Sequence, residues 1–312
     1  MSQKIDILSD LSTIRDFIRY GFTEFNKNNL YFGHGTDNSW DEIIALITYS
    51  LNIVPNNLSP DNLNPDNLNI LLDAKLLIHE KQSLIDLINK RINEKTPLAY
   101  LIQQTNFCDL NFYVDKRVII PRSPIGSLIQ EQFSPWIEEP HNITSALDLC
   151  TGSGCIAIAL AYYFPEANID AIDLSDDALA VTNINIKKHE LQNQVKAIKS
   201  DLFNSIKANK KYDLIISNPP YVNKKDLEQM PKEYHHEPKM ALEAGDDGLD
   251  LAHRILKEAI NYLNPNGILV VEVGNSQYDL ENAYPHVPFT WMEFDSGASG
   301  VFLLTYDQLN NI

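Results

Sequence analysis

The chain has 312 residues, of which 44% are hydrophobic and 21% are charged, and its formal net charge at pH 7 is −17. This length and composition are typical of a globular protein with one large or two medium domains. A charge this negative repels phosphate backbones, so we expect no direct binding of duplex nucleic acid and a basic protein as the large partner.

The sequence also predicts location and metal content. No apolar run follows a basic N-terminal cluster, and no stretch of about 18 apolar residues occurs, so we expect a cytoplasmic protein without a membrane span. Cys108, Cys150 and Cys155 form no C-x-x-C pair, which argues against a disulfide framework. His235 and His236 are adjacent, and adjacent side chains diverge too much to share a metal without further ligands. We therefore expect no metal.

Residues 1–104 are predicted to form a small helical domain that recognises the substrate. Apolar side chains recur there at steps of three and four residues, which is the pattern of amphipathic helices. Thr36 or Asp37 can cap the second of these helices. The predicted helices cover about 10–26, 36–51 and 70–93.

A tandem duplication interrupts this helical region. Residues 60–64 are Pro-Asp-Asn-Leu-Asn, and residues 65–69 repeat the same five residues immediately afterwards. Because both copies are rich in residue types that break helices, we predict a loop insertion at this place.

A β-hairpin over 105–122 is predicted to connect the helical domain to a second domain, 123–312. Two β-rich runs flank Asp115 and Lys116, which predicts that these two residues form the turn. The prolines that follow the second run end it.

From about residue 143 onward, β-rich segments alternate with amphipathic segments. This alternation predicts an α/β fold with a mostly parallel sheet and crossover helices. The last two β-rich segments are joined only by 295–300, which suits an antiparallel hairpin at the C-terminus. Strands are predicted at 145–150, 168–173, 195–199, 212–217, 267–273, 289–294 and 301–306, and helices near 154–164, 176–189 and 249–263.

A glycine loop follows the first predicted strand of this sheet. It runs from Asp148 through Thr151 and Gly152 to Gly154, and its glycines let a nucleoside approach the backbone closely. Asp173 ends the next strand, where a carboxylate can accept both hydroxyls of a ribose. The loop and Asp173 together fit either a nicotinamide dinucleotide or S-adenosylmethionine. Asp148 favours S-adenosylmethionine, because a carboxylate before the glycines is better placed beside the cationic groups of this cofactor than beside the pyrophosphate of a dinucleotide.

The segment Asn-Pro-Pro-Tyr at 218–221 directly follows another predicted strand. It therefore lies at the carboxyl edge of the sheet, where α/β proteins bind their ligands. The two prolines fix the backbone, so that the Asn218 side-chain oxygen and the Pro219 carbonyl can accept both hydrogens of a planar amino group. Tyr221 offers a ring to stack against that group. We predict that Asn218, Pro219 and Tyr221 are the catalytic residues.

These motifs together resemble the S-adenosylmethionine-dependent methyltransferases that carry Asn-Pro-Pro-Tyr, and among them the protein-glutamine methyltransferases. The resemblance covers nearly the whole chain. It implies a seven-stranded methyltransferase sheet, S-adenosylmethionine as methyl donor, and a glutamine side chain of a protein as acceptor. The cofactor-binding residues that it implies are Asp148, Thr151, Gly152, Gly154, Asp173, Asp201, Leu202 and Asn218, and the amide-binding residues are Asn218, Pro219 and Tyr221.

Two branches of that family differ after the hairpin. The release-factor branch typically has Pro-Arg-Pro followed by an acidic-Thr-Glu run, whereas this chain has Pro-Arg-Ser-Pro-Ile-Gly at 121–126. That departure, together with 31–38, 233–238 and 288–294, resembles the branch that methylates a glutamine of large-subunit ribosomal protein three. The resemblance therefore implies this basic ribosomal protein as the substrate, and a release factor is the alternative. Arg122 can be either a substrate contact or part of a structural ion pair.

A nucleic-acid substrate is the other alternative. The same two acceptors can hold the exocyclic amino group of adenine, so Asn-Pro-Pro-Tyr alone does not separate a protein substrate from a nucleic acid. The charge of −17 and the absence of a basic module with interleaved aromatic residues argue against adenine methylation.

Overall fold

A computed structural model of the chain describes residues 7–53 and 65–310. These residues form two compact units, which we name the helical unit and the sheet unit. The sequence predicted domain limits at 104 and 122, but it did not indicate that six residues from the second half of the chain belong to the helical unit. The helical unit comprises the residues up to Gln103 and Pro231–His236, and the sheet unit comprises Gln104–Met230 and the residues from Glu237 onward.

Helices dominate the described part of the first hundred residues and alternate with strands thereafter. The α-helices of the described residues are α1 (Ile7–Asp10), α2 (Ile14–Lys27), α3 (Ser39–Ser50), α4 (Pro65–Leu72), α5 (Ile78–Asn89), α6 (Leu98–Ile102), α7 (Ile125–Gln130), α8 (Cys155–Tyr163), α9 (Asp176–Lys188), α10 (Lys224–Gln229), α11 (Asp250–Ala259), α12 (Gln277–Ala283) and α13 (Tyr306–Leu309). The strands are β1 (Gln104–Phe107), β2 (Leu110–Tyr113), β3 (Ser145–Leu149), β4 (Asn168–Asp173), β5 (Val195–Lys199), β6 (Tyr212–Ser217), β7 (Leu263–Glu272), β8 (Thr290–Trp291) and β9 (Val301–Thr305).

Side-chain caps set where α2 and α3 begin. Thr13 caps α2 by accepting the backbone N–H of Asp16, whose carboxylate accepts the Thr13 N–H in return. Asn38 caps α3, and its side-chain oxygen accepts two backbone N–H groups of the first turn. The prediction that Thr36 or Asp37 caps this helix was wrong. Asn38 directly precedes the first helical residue, so its short side chain is the one that reaches the first turn.

The third predicted helix is two helices. Residues 73–77 separate α4 from α5, and a π-helical turn at Lys90–Glu94 continues α5. The first copy of the duplication, 60–64, lies outside the described residues. The second copy, 65–69, begins α4, so the predicted loop was wrong there. Proline suits the first turn of a helix because the N–H that it lacks has no partner at that position.

A buried ion-pair cluster holds Pro231–His236 within the helical unit. Arg91, which is 1% exposed, donates from Nη1 to Glu233 Oε1 at 3.0 Å, from Nη2 to the Tyr31 carbonyl at 2.8 Å, and from Nε to Glu42. The Tyr31 N–H donates to the same Glu233 oxygen. Buried charges are tolerated only when they are paired and hydrogen-bonded, so these bonds fix Glu233 in the helical unit.

The predicted hairpin forms with a different turn. Phe107 pairs with Leu110, so the turn is Cys108 and Asp109, whose φ angles are 49° and 60°. Positive φ at both central residues is what a type I′ turn requires. The turn predicted at Asp115 and Lys116 was wrong, because these residues lie after the hairpin. They belong to a separate turn, in which the Asp115 carboxylate accepts the N–H of Arg117.

The sheet unit contains a seven-stranded sheet in the order β5-β4-β3-β6-β7-β9-β8. Strands β3 to β7 pair in parallel, and β9 runs antiparallel to both β7 and β8. The predicted mostly parallel sheet with an antiparallel C-terminal hairpin is thus confirmed. The strand order reverses between β3 and β6, which is where ligands of open α/β sheets bind, beyond the carboxyl ends of the strands.

Apolar side chains cover both faces of the sheet. Buried residues of α8 pack on one face and those of α11 on the other. Covered faces are the usual arrangement of parallel sheets, and they leave the carboxyl edge as the place for a ligand. None of the helices in the described residues is long and apolar enough to cross a membrane.

Candidate active site

The predicted glycine loop connects β3 to α8. Its backbone is left-handed at Cys150, Gly152 and Gly154, with φ of 61°, 56° and 81°. A Cβ on Gly154 would lie 2.9 Å from Cγ2 of Thr182 in α9, whereas nothing lies within 4 Å of a Cβ on Gly152. Gly154 is therefore required by packing against α9, and Gly152 faces open space.

Gly154→Ala is expected to lower the free energy of unfolding by more than Gly297→Ala does. Both positions have positive φ, 81° and 76°, so both variants lose roughly 1–2 kcal/mol from backbone strain. Only Gly154 has a neighbour at 2.9 Å, whereas a Cβ on Gly297 would meet nothing within 4 Å. Urea denaturation of the two variants measures the difference, and equal losses would contradict the packing role of Gly154.

Asp148 lies beneath the glycine loop and is fully buried. Its Oδ2 accepts the hydroxyl of Thr151 at 2.5 Å and the N–H of Ala157 in α8 at 3.1 Å, so it ties the loop to the start of the helix. Its Oδ1 has no hydrogen-bond partner among the described residues. Burial raises the pKa of Asp148 to about 7.

This raised pKa predicts that the free energy of unfolding depends on pH. An unfolded aspartate has a pKa of about 3.9, so between about pH 4 and pH 7 the folded state binds more protons and loses stability as the pH rises. We expect Asp148→Asn to remove this dependence. The melting temperature of the variant minus that of the wild type should then increase from about pH 5 to about pH 8. A difference that stays constant over that range would contradict the raised pKa.

Asp173 at the end of β4 is fastened to the same loop. Its Oδ2 accepts the N–H of Gly152 at 2.9 Å, and its Oδ1 accepts the N–H of Ser175 at 2.9 Å. Burial raises the pKa of the Asp173 carboxyl above its usual value in spite of these two bonds. Each carboxylate oxygen has more than one lone pair, so each can accept a further hydrogen bond from a ligand.

A pocket of about 750 Å³ of empty space, part of it open to solvent, lies at the carboxyl edge of the sheet. Its lining is mostly apolar, as is typical of cofactor sites. Asp148 and Thr151 are buried behind the loop, and Gly154 packs on α9. The predicted site residues that line the pocket are Gly152, Asp173, Asp201, Leu202 and Asn218.

Asp201 and Leu202 follow β5. The Asp201 carboxylate accepts a hydrogen bond from Arg254 Nη1 at 2.8 Å, which fixes its direction at the pocket. Leu202 is almost fully buried and has a left-handed backbone, with φ of 48°. Such a conformation costs energy in a residue other than glycine and is found at ligand sites.

Several pocket residues were not predicted. Leu174 directly follows Asp173 and is 53% exposed; an exposed leucine next to a ribose-type aspartate is the signal that could have found it. Arg117–Ile119 were assigned to a hairpin strand, but they line the pocket. Pro238 and Met240 also contribute, and no local pattern in the sequence indicates them.

The segment 218–221 begins where β6 ends. Asn218 lines the pocket, and its side chain has no hydrogen bond to any of the described residues. Pro219 is buried and Tyr221 partly buried; neither lines this pocket. The Tyr221 hydroxyl donates to Oε1 of Glu272 at 2.8 Å, and a Cβ on Gly274 would lie 2.5 Å from the Tyr221 ring.

Arg122 forms a structural ion pair. Its Nη1 and Nη2 donate to the two carboxylate oxygens of Glu237 at 2.6 and 2.8 Å, and Nη1 also donates to the Ile120 carbonyl. The N–H of Ile120 donates to Glu237 as well. A two-pronged arginine–carboxylate pair is strong and directional, so Arg122 fixes the point at which the chain returns to the sheet unit.

The adjacent histidines have different surroundings. His236 Nε2 lies 2.8 Å from the Glu94 carbonyl, within the helical unit, whereas His235 is exposed on the same segment. No group of three or more His, Cys, Asp or Glu side chains in 7–53 and 65–310 is placed to hold a metal ion.

Comparisons with known proteins agree with this sheet. Residues 136–287 match the family described as methyltransferase small domain. The catalytic domain of hMettl16, solved in complex with MAT2A 3′UTR hairpin 6, has the same fold, with a TM-score of 0.50 and 14% sequence identity. That likeness covers 73% of this chain and 81% of the hMettl16 chain. The sheet is therefore that of a methyltransferase.

Two relatives define the family more closely. The ribosomal protein uL3 glutamine methyltransferase of Francisella tularensis subsp. tularensis (strain SCHU S4 / Schu 4) is 52% identical over 97% of this chain and 93% of its own length. The protein of the same name from Neisseria meningitidis serogroup A / serotype 4A (strain DSM 15465 / Z2491) is 47% identical over 96% of this chain and 95% of its own length. The chain belongs to the family of ribosomal protein uL3 glutamine methyltransferases.

The pocket fits S-adenosylmethionine, the methyl donor of such an enzyme. Asp173 has lone pairs available for ribose hydroxyls, and Leu174 and Leu202 offer apolar surface for an adenine. Oδ1 of Asp148, buried behind the loop, is an acceptor without a partner among the described residues. Because nothing occupies the position of a Cβ on Gly152, a ligand can approach the backbone there.

Proposed function

We propose that this protein transfers a methyl group from S-adenosylmethionine to the side-chain amide nitrogen of a glutamine in ribosomal protein uL3, which is the large-subunit ribosomal protein three implied by the sequence resemblance. The name of the relatives at 47–52% identity supports this substrate. The observation that carries the chemistry is Asn218, a carboxamide at the carboxyl edge of the sheet that lines the cofactor pocket and has no partner among the described residues.

The reaction must overcome the poor nucleophilicity of an amide nitrogen, whose lone pair is delocalised into the carbonyl. We assign Asn218 Oδ1 and the Pro219 carbonyl as acceptors for the two amide hydrogens. Two acceptors favour a pyramidal nitrogen with a localised lone pair. Their hydrogen bonds strengthen as positive charge grows on nitrogen, so they stabilise the transition state more than the ground state.

Tyr221 completes this arrangement as the ring against which the amide stacks. A ring face near a developing cation contributes about 1 kcal/mol or more in a desolvated site. A strong base is not required, because the methylated nitrogen is cationic and acidic, and its proton can pass to solvent. Most of the rate enhancement then comes from alignment of the reacting atoms.

The cofactor-binding roles follow the placement of the side chains. We assign the ribose hydroxyls to Asp173, the adenine to the neighbourhood of Asp201 and Leu202, and the close backbone approach to Gly152. Asp148, Thr151 and Gly154 hold the loop in shape from behind. When bound, S-adenosylmethionine supplies an electrophilic methyl group on a sulfonium.

Charge complementarity supports a ribosomal protein as the partner. The chain carries a net charge of −17, and ribosomal proteins are basic, so opposite charges raise the encounter rate at low salt. The glutamine must reach the edge of the sheet, which requires an extended target segment. Methylation therefore takes place in the cytoplasm before or during ribosome assembly, when such a segment is accessible.

Mass spectrometry of ribosomal proteins and release factors from cells with and without this enzyme tests the proposal. We expect one methyl group on a glutamine of uL3 to be lost when the enzyme is absent, and to return when purified uL3 is incubated with the enzyme and labelled S-adenosylmethionine. Label in a release factor instead would show that the substrate branch is wrong. Label only in DNA or RNA would favour adenine methylation.

A further inference from the structure

The buried carboxylate of Glu272 has no role in the mechanism above, although it lies beside the proposed catalytic segment. Glu272 ends β7, which pairs with β6, and Val271 is in register with Ser217, the residue before Asn218. Glu272 is 5% exposed. A carboxylate is rarely this buried unless hydrogen bonds satisfy its oxygens.

Two hydroxyl groups satisfy these oxygens, one each. Oε1 accepts the Tyr221 hydroxyl at 2.8 Å, and Oε2 accepts the Ser123 hydroxyl at 2.5 Å. Ser123 is itself buried, and its oxygen accepts the N–H of Ile125 at the start of α7. The carboxylate thus joins three elements of the sheet unit: the end of β7, the catalytic segment and the start of α7.

The ring of Tyr221 is held at a second place. Gly274 has φ of 49°, and a Cβ there would lie 2.5 Å from Cε2 and 2.9 Å from Cδ2 of Tyr221. The backbone at Gly274 therefore lies against the ring, while Glu272 holds the hydroxyl. Fixed at both its edge and its hydroxyl, the ring keeps one plane.

We propose that Glu272 is a positioning residue for methyl transfer, which fixes the Tyr221 ring through its hydroxyl and is itself fixed by Ser123. The proposal rests on the proposed function, in which the glutamine amide stacks on Tyr221. A phenol that donates to a carboxylate has a more electron-rich ring, and such a ring attracts a developing cation more strongly. Glu272 thereby acts on the charged transition state more than on binding of the neutral amide.

The surroundings of Glu272 act on its ionisation in opposite directions. Burial raises the pKa of the Glu272 carboxyl above its usual value, while the hydroxyls of Ser123 and Tyr221 and the charge of Arg122 oppose the rise. Groups that face Glu272 thus favour the ionised form, which is the form that accepts both hydroxyls.

Kinetics of Glu272→Gln, Tyr221→Phe and the double variant test the proposal. We expect Glu272→Gln to lower kcat by about tenfold, with KM for uL3 and Kd for S-adenosylmethionine within about threefold of the wild type. Tyr221→Phe removes the hydrogen bond through which Glu272 acts on the ring, so the double variant should be no slower than the slower single variant. Glu281→Gln, at an exposed position on α12, is the matched control and should leave kcat unchanged.

Independent, multiplying losses in the double variant would overturn the proposal, as would an unchanged kcat in Glu272→Gln. If Glu272→Gln fails to fold, Ser123→Ala keeps the carboxylate and removes only one donor; we expect it to lower kcat without changing KM, and equal kcat values would overturn the proposal. Glutamine methylation by the wild type distinguishes a failure of this inference from a failure of the proposed function. If the wild type places no methyl group on glutamine, the proposed function fails, whereas normal glutamine methylation with a fully active Glu272→Gln variant rejects only the role of Glu272.

Discussion

Asn218→Ala is expected to lower turnover of the glutamine substrate by about 10²–10³-fold, which is the loss seen when one preorganised transition-state hydrogen bond is removed. Asn218 lines the pocket, and its oxygen is one of the two proposed acceptors for the amide hydrogens. Since this bond strengthens as the nitrogen becomes cationic, its loss should lower kcat. The Kd for S-adenosylmethionine should stay within a few-fold of the wild type. Single-turnover kinetics and calorimetry measure the two quantities.

Asn183→Ala is the matched control for this variant. Asn183 is exposed on α9, and its side chain donates only to the carbonyl of Leu179 one turn earlier. It should have the kcat and the cofactor affinity of the wild type. Near-normal turnover by Asn218→Ala would show that the acceptor mechanism is wrong, even if the enzyme methylates glutamine.

The second large effect is expected from Asp173→Ala, which should weaken binding of S-adenosylmethionine by about 100-fold. Two hydrogen bonds to a carboxylate account for a loss of this size. The Asp173 carboxylate also accepts the N–H groups of Gly152 and Ser175, so part of the loss can come from a displaced loop. Calorimetry with S-adenosylhomocysteine and with an analogue that lacks the ribose hydroxyls separates the two causes.

Wild-type protein should bind the analogue more weakly than S-adenosylhomocysteine, and Asp173→Ala should bind the two equally. Asp177→Ala, at an exposed position on α9 outside the pocket, is the control and should bind both ligands as the wild type does. If Asp173→Ala still discriminates between the two ligands, Asp173 does not bind the ribose.

The sequence predicted the sheet well because its strands are buried. Residues of β3 and β6 lie between covered faces and read as apolar runs, which needs no knowledge of distant parts of the chain. The turn at Cys108 and Asp109 was missed for a local reason. Both residues have positive φ, yet neither is glycine or asparagine, the usual signal for such a turn.

The site was predicted where its residues follow strands. Asp173 ends a parallel strand, and Gly152 and Asn218 come closely after one, so the topology brings the three residues to one edge and one pocket. Their roles stay predictions. Met240 lines the same pocket, but its position depends on how the chain returns after His236, and nothing in the local sequence encodes that path.

Glu233 is the least predictable of these features, because a glutamate in a polar stretch normally indicates a solvated loop. Its burial depends on Arg91, 142 residues earlier in the chain. Neither residue carries a local signal of this pairing. Only the folded helical unit brings the two side chains together.

The bond between Arg91 and Glu233 limits how the N-terminal residues of this chain can be exchanged for those of another protein. A chimera that replaces residues 1–103 by the N-terminal domain of another methyltransferase removes Arg91 and Glu42, while Glu233 stays on the retained half of the chain. The retained carboxylate then has no cation to neutralise it in that setting, and removal of one partner from a buried pair costs about 3–5 kcal/mol. A stable chimera must therefore exchange Pro231–His236 together with the N-terminal residues, because both segments belong to one unit.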